Sequence, residues 1–144
     1  GLMSLYAQCL SGAPAFAARL NAGRAVGEIT ATGAAMILSG PLMTRDMLRL
    51  GDAAFAPDPL SGHGIYEALG AALAAGAVIN TVLRHPEDAE LACSFYTRRM
   101  EMRFWKSSEA AREMYRTEQR WSKSAFWSAR QAWSWTMPGQ TALV

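Results

Sequence analysis

The sequence has 144 residues, of which 51% are hydrophobic and 18% charged, with a formal net charge of +2. This length suits one domain with a sizeable core, and the composition excludes a disordered chain, which would be poorer in apolar residues. The basic residues of the second half alternate with glutamates, as on a solvated helix face, so the charge does not predict a nucleic-acid partner.

Two cysteines, Cys9 and Cys93, lie far apart in the sequence. There is no CxxC pair and no histidine at the spacing of a metal ligand, so neither a disulfide framework nor a metal site is predicted. We expect reduced, buried thiols in a cytoplasmic protein.

The first fifty residues alternate between short helices and short strands. Residues 2–10 and 14–21 read as helices separated by "SGAP". The segments 25–33 and 34–40 carry β-branched or apolar residues bounded by glycine, and the segment 46–50 leads directly into Gly51. We expect two or three short strands here.

After residue 62 the sequence is predominantly helical. A helix is predicted from about residue 64 to 83, with small residues at 68, 72 and 76 that let one face approach another backbone or a flat ligand. Its apolar run of 16 residues, 68–83, is shorter than the roughly 20 needed to cross a membrane. We therefore expect a buried core helix and no membrane span.

A further long helix follows "HPED", where Pro86 occupies the first turn. Two apolar stripes are predicted along this helical region. The first consists of Ala89, Cys93, Tyr96, Met100 and Phe104, and the second of Ala110, Met114, Trp121 and Ala125.

The segment "GDAAFAPDPLSGHGI", residues 51–65, joins the strand region to the first long helix. Asp52 offers a carboxylate to hydroxyl groups, and the helix start offers backbone N–H groups to negative charge. Glycines at 62 and 64 leave room for a flat ligand. The segment therefore predicts a site for a ligand with a polyol and an anion.

This segment resembles the second flavin-binding motif of FAD-dependent monooxygenases of the aromatic-hydroxylase type, GDxxxxxxPxxGxG. The matching fixed positions are Gly51, Asp52, Pro59, Gly62 and Gly64. The sequence of this segment is also similar to the corresponding segment of the geranylgeranyl reductase and tryptophan halogenase groups. The cofactor-binding residues that the resemblance implies are Asp52, Pro59, Ser61, Gly62, His63, Gly64 and Ile65.

The resemblance also implies what these residues do. Asp52 would bind the ribityl hydroxyls of FAD, the backbone of residues 62–65 would face the N1 and C2 edge of the ring, and Pro59 would lie where reduced flavin meets oxygen. For His63 we expect the backbone, not the imidazole, to matter. No catalytic residue is identified.

The first motif of this family, a GxGxxG that holds the ADP half of FAD, does not occur in the sequence. We therefore interpret the chain as an α+β fragment that completes a Rossmann-like α/β FAD-binding domain. The missing N-terminal dinucleotide-binding half would be in the same or another chain. The expected parts are the end of a substrate-side region at 1–50, a flavin-binding strand, loop and helix at 51–83, and a helical region at 84–144.

The implied function is hydroxylation of an aromatic substrate through a flavin C4a-hydroperoxide, with NADH or NADPH as reductant. The substrate is an aromatic small molecule or a peptide, and one subclass hydroxylates a tryptophan in a protein precursor during tryptophylquinone cofactor maturation. The alternatives are a reductase of the geranylgeranyl type, a halogenase and a non-enzymatic interaction module.

The tryptophan-rich segment 120–135 interleaves aromatic and basic residues, as single-stranded nucleic-acid-binding proteins and lipid-surface helices do. The helical spacing of Trp121, Ala125 and Ser128 with Met114 favours packing onto the protein instead. The segment "WSWTMP", 133–138, resembles the WxWxIP signature of halogenases. It follows the Gly-Asp motif here, whereas the halogenase signature precedes it, so hydroxylation is favoured.

Overall fold

A computed structural model describes residues 1–20, 23–24, 26–121 and 123–133. The chain forms two compact units, residues 1–33 and 34–144. This division does not coincide with the boundary proposed at residue 50, because residues 34–50 belong to the second unit. The functional roles proposed for 1–50, 51–83 and 84–144 stay predictions.

The first unit contains two short helices, α1 (Leu2–Ser11) and α2 (Pro14–Leu20). Neither helix has a buried residue. Cys9 is exposed, so the expectation of two buried thiols is wrong for this cysteine. The strand predicted at 25–33 is absent from the described residues of that range. Gly27 has a positive φ of 81°, which interrupts an extended conformation.

The second unit opens with a minimal antiparallel sheet. Strand β1 (Ile37–Leu38) pairs with β2 (Phe55–Ala56), with Leu38 opposite Phe55. The strand predicted at 46–50 is reduced to a bridge between Met43 and Leu48. This segment pairs at one residue only, so its apolar residues do not form a longer strand.

The predicted helices after residue 62 are confirmed. Helix α3 spans Gly64–Arg84, and α4 spans Ala89–Thr117 after a 3₁₀ turn at Pro86–Asp88. Helix α5 spans Ala125–Ala132. The residues of "WSWTMP" beyond Trp133 lie outside the described residues.

The core of the second unit lies between α3, α4 and the sheet. Phe55 of β2 packs edge-to-face on Phe104 of α4, with ring centroids 5.6 Å apart. Tyr96 is fully buried, and its hydroxyl donates a hydrogen bond to the Arg49 carbonyl at 2.8 Å. Aromatic packing therefore joins the sheet to α4, and the Tyr96 hydrogen bond joins the segment before Gly51 to the same helix.

The first apolar stripe predicted on α4 is confirmed, although Cys93 is only half-buried and Ala92 is buried beside it. The second stripe is wrong. Ala110, Met114, Trp121 and Ala125 are all exposed. The buried face continues from Phe104 through Ser108, Ala111 and Tyr115 instead, because the i+4, i+3, i+4 spacing passes through a serine that a search for apolar residues skips.

Helix α3 is covered on one side only. Its buried residues are Ala71, Ala75 and Val78, not the small residues at 68, 72 and 76. The expectation of a buried core helix therefore holds for one side of α3 only. Within the described residues, α3 is the one helix whose length and composition suffice to cross a membrane, and 17% of its most apolar 18-residue window is buried.

Helix α5 packs against the C-terminal part of α4. The ring of Trp127 lies 5.6 Å from that of Tyr115, between centroids. Packing of the tryptophan-rich segment onto the protein is confirmed for this tryptophan. The predicted contact residue Trp121 is 54% exposed, so Trp127 takes the role that the spacing assigned to Trp121.

Candidate flavin-binding site

Asp52, the predicted ligand of the ribityl chain, lies on an exposed 3₁₀ turn at Gly51–Ala53. Gly51 has a φ of +53°, which favours glycine, and a Cβ at this position would lie 3.6 Å from the Cβ of Ala68. The turn therefore packs closely against α3, with the carboxylate in solvent beside the first turns of that helix.

Hydrogen bonds fix the loop that follows β2. Asp58 is buried, and its carboxylate accepts from the Leu60 N–H at 2.9 Å. The Ser61 hydroxyl donates to the Asp58 carbonyl at 2.8 Å and accepts from the His63 N–H at 3.2 Å. The short 3₁₀ turn Pro59–Ser61 then ends at Gly62, whose φ of +64° is left-handed.

The start of α3 is free of side-chain caps. His63 is exposed and makes no capping hydrogen bond, so its side chain does not block the first N–H groups of the helix. A Cβ built at Gly62 or at Gly64 would meet no atom within 4 Å. Both glycines therefore border open space at a helix N-terminus, where a flat ligand with negative charge can approach the backbone.

The imidazole of His63 has no partner that indicates acid or base chemistry among the described residues. Its ring stands edge-to-face to Tyr66, with centroids 6.1 Å apart. The expectation that the backbone of His63 matters more than its imidazole stays a prediction.

Sequence reasoning missed Tyr115, which lies near the end of α4. Its hydroxyl donates to the Asp58 carboxylate, at 3.0 Å from Oδ2 and 3.2 Å from Oδ1. Burial raises the pKa of Tyr115, and the hydrogen bond to Asp58 raises it further. Because the two residues are 57 positions apart, no local pattern could have paired them.

A second missed contact holds the first turn of α3. Arg103 of α4 forms a bidentate ion pair with Glu67, with both N···O distances 2.7 Å. Its guanidinium also lies 5.5 Å from the centre of the Tyr66 ring. This hydrogen-bonded pair raises the pKa of Arg103. Helix α4 thus holds the motif segment at two places, at Asp58 and at Glu67.

A cavity of about 260 Å³ lies on the α4 and α5 side of Asp58. Among its lining residues are Asp58, Ser108, Arg112, Tyr115, Arg130 and Trp133. The Arg130 guanidinium stacks on Phe126, 3.7 Å from the ring centre. The cavity is therefore mixed in character, with one acidic, two basic and two aromatic side chains.

The seven predicted cofactor residues thus fall into two groups. Pro59, Ser61 and Gly62 belong to one turn that leads into His63, Gly64 and Ile65 at the helix start. Asp52 is contributed by a separate turn that packs on the same helix. The loop between them carries β2, whose pairing with β1 sets their spacing.

No protein-family model matches the chain, and no curated protein matches it. The chain is similar to the solved structure of QhpG, a peptidyl tryptophan dihydroxylase essential for tryptophylquinone cofactor biogenesis, with 37% sequence identity and a TM-score of 0.79. The match covers 97% of this chain and 33% of QhpG. The chain therefore has the fold of one part of QhpG and spans about a third of its length.

Proposed function

We propose that the chain is the flavin-binding C-terminal portion of an FAD-dependent monooxygenase that hydroxylates a tryptophan within a peptide or protein precursor. The observation that carries this proposal is the match to QhpG over 97% of the chain at 37% identity. The motif Gly51, Asp52, Pro59, Gly62, Gly64 supports the cofactor independently of that match.

The described residues fit the flavin and ribityl end of FAD. The open space beside Gly62 and Gly64 suits a flat ring, the uncapped start of α3 suits its negatively charged edge, and the exposed Asp52 suits the hydroxyls of the ribityl chain. When bound, the flavin would supply the redox chemistry: NADH or NADPH would reduce it, and the reduced flavin would activate oxygen. The choice between the two nucleotides stays a prediction.

The protein residues in this proposal bind and orient. Asp52 would accept hydrogen bonds from the ribityl hydroxyls, and the backbone of residues 62–65 would face the edge of the ring. The N–H groups of Gly62 and His63 already donate to the Pro59 carbonyl and the Ser61 hydroxyl, so Gly64 and Ile65 would donate to that edge. Pro59 adds no N–H group and fixes the chain direction beside the ring. Asp58, held by Tyr115 and by the Leu60 N–H, keeps that turn in one conformation.

The ADP half of FAD would be held by a dinucleotide-binding half that contributes the other part of the enzyme. Because the chain spans a third of QhpG, we expect activity only in an assembly with that half. The isolated chain should bind FAD weakly, since its site reaches only one end of the cofactor.

The proposal is tested with a QhpG chimera in which this chain replaces the matching third. Incubated with FAD, NADH or NADPH, oxygen and the peptidyl tryptophan substrate of QhpG, the chimera should add oxygen atoms to the tryptophan, as measured by peptide mass spectrometry. Anaerobic incubation is the control. A chimera that folds but binds no flavin, or one that binds flavin and adds no oxygen to the tryptophan, would refute the proposal.

A further inference from the structure

Helix α3 has a second apolar face, which the described structure leaves in solvent. It consists of Ile65, Leu69, Ala72, Leu73, Gly76 and Leu83. These positions follow the three- and four-residue spacing of one helix side. Ile65, Leu73 and Leu83 are 80%, 82% and 76% exposed, so the face is open along the whole helix.

This exposed face is different from the side that packs on the core. Ala71, Ala75 and Val78 are buried on the other side of the helix. A helix that is apolar on both sides belongs inside a larger protein or in a membrane. The centre of the exposed face is formed by Ala72 and Gly76, and a Cβ at Gly76 would meet nothing within 4 Å. Small residues there allow another backbone to approach closely.

We propose that this face docks the dinucleotide-binding half of the enzyme, an inference that rests on the proposed function. Two observations favour this occupant. The chain spans only a third of QhpG, so two-thirds of that chain have no counterpart in the described fold. The exposed face also begins at Ile65, directly after Gly62 and Gly64. A protein that covers this face would therefore lie next to the FAD proposed to bind at these glycines.

A lipid bilayer fits this face less well. Asn80 is exposed and lies four residues after Gly76, on the same side of α3 as the exposed face. A membrane that covered this face over its whole length would bury the Asn80 amide, which is costly in lipid without a hydrogen-bond partner. A protein surface that offers this amide a hydrogen-bond partner avoids the cost.

The test measures association between this chain and the part of QhpG outside the matching third, prepared separately with an affinity tag. The variant Leu69→Gln with Leu73→Gln changes two exposed residues of the face. The matched control is Leu91→Gln with Phe95→Gln, also four residues apart and 70% and 57% exposed, but on α4. All three chains should have the same helix content by circular dichroism.

We expect the wild-type chain and the α4 control to associate, and the α3 variant to bind at least about tenfold more weakly, as for residues central to an interface. Equal binding by the α3 variant, or no binding by the wild type, overturns the proposal. Flotation of the wild type with phosphatidylcholine and phosphatidylglycerol vesicles overturns the proposal in favour of a membrane. A dimer that the α3 variant abolishes overturns it in favour of a second copy of this chain. A complex that forms without retaining FAD supports the docking face and refutes the proposed function.

Discussion

Replacing Tyr115 with phenylalanine tests whether α4 holds the proposed flavin-binding segment in place. The substitution keeps the ring that packs against Trp127 and removes the hydroxyl that donates to the buried Asp58 carboxylate. A hydrogen bond to a charged acceptor contributes about 1.5–3 kcal/mol. With a urea m-value of about 2 kcal/mol/M, the unfolding midpoint should fall by about 1 M.

The matched control is Tyr96→Phe. The hydroxyl of Tyr96 donates at 2.8 Å to the backbone carbonyl of Arg49, which is neutral, so its loss should cost about 1 kcal/mol. In a background of Asp58→Asn the acceptor at residue 58 is also neutral, and the cost of Tyr115→Phe should fall to about the same value. An equal loss in both backgrounds, or a loss below about 0.5 kcal/mol, would refute the reasoning.

The pH dependence of Tyr115→Phe has a definite sign. The pKa of Tyr115 is raised in the folded state, first by burial and then by Asp58. The unfolded state therefore loses the phenolic proton first, near pH 10, and the stabilisation is complete below that pH and lost as the pH rises through the folded pKa. The stability difference between wild type and Tyr115→Phe should be constant from pH 7 to 9 and shrink above 10, as measured by urea unfolding.

Three further predictions concern the motif and the first turn of α3 that follows it. In the QhpG chimera, Asp52→Ala should weaken FAD binding by about tenfold to a hundredfold by flavin fluorescence, and an unchanged affinity removes this carboxylate from the site. Valine at Gly62 or at Gly64 should reduce flavin content in both cases, but only Gly62→Val should lower the melting temperature measured without FAD, because only Gly62 has a positive φ. Glu67→Gln should lower the free energy of urea unfolding by about 1 kcal/mol. The control Glu109→Gln, in a surface ion pair within α4, should lower it less. Equal losses would show that the ion pair between α3 and α4 stabilises the fold no more than a surface pair does.

The sequence was most informative where signals were local. Helix α3 begins at Gly64 as the glycines and the motif predict, and Pro86 opens the turn before α4. The stripe through Tyr96, Met100 and Phe104 lies in the core because four residues make about one helical turn. These features depend on residues that are close in the sequence, and the spacing of residue types along the chain therefore predicts them.

The errors arose where a partner distant in sequence decides the outcome. The segment 46–50 is predicted as a strand, but its ladder pairing is limited to Leu48. The buried face of α4 passes through Ser108, whose hydroxyl donates to the Trp105 carbonyl and so is satisfied within the helix. Asp58 lies in the motif loop yet could not be recognised as an anchor, since its partner Tyr115 is on the last turns of α4.

Helix α4 explains how a unit in which the described residues include only four in strands can hold this turn in one conformation. Its anchors for the motif segment, Arg103 at Glu67 and Tyr115 at Asp58, are separated by about 18 Å along a helix with a rise of about 1.5 Å per residue. They therefore hold the segment on both sides of Gly62 and Gly64. A turn held at two distant points on one rigid helix keeps its conformation without a large sheet beneath it. The glycines can then face open space, which is the condition for a flat ligand to reach the backbone.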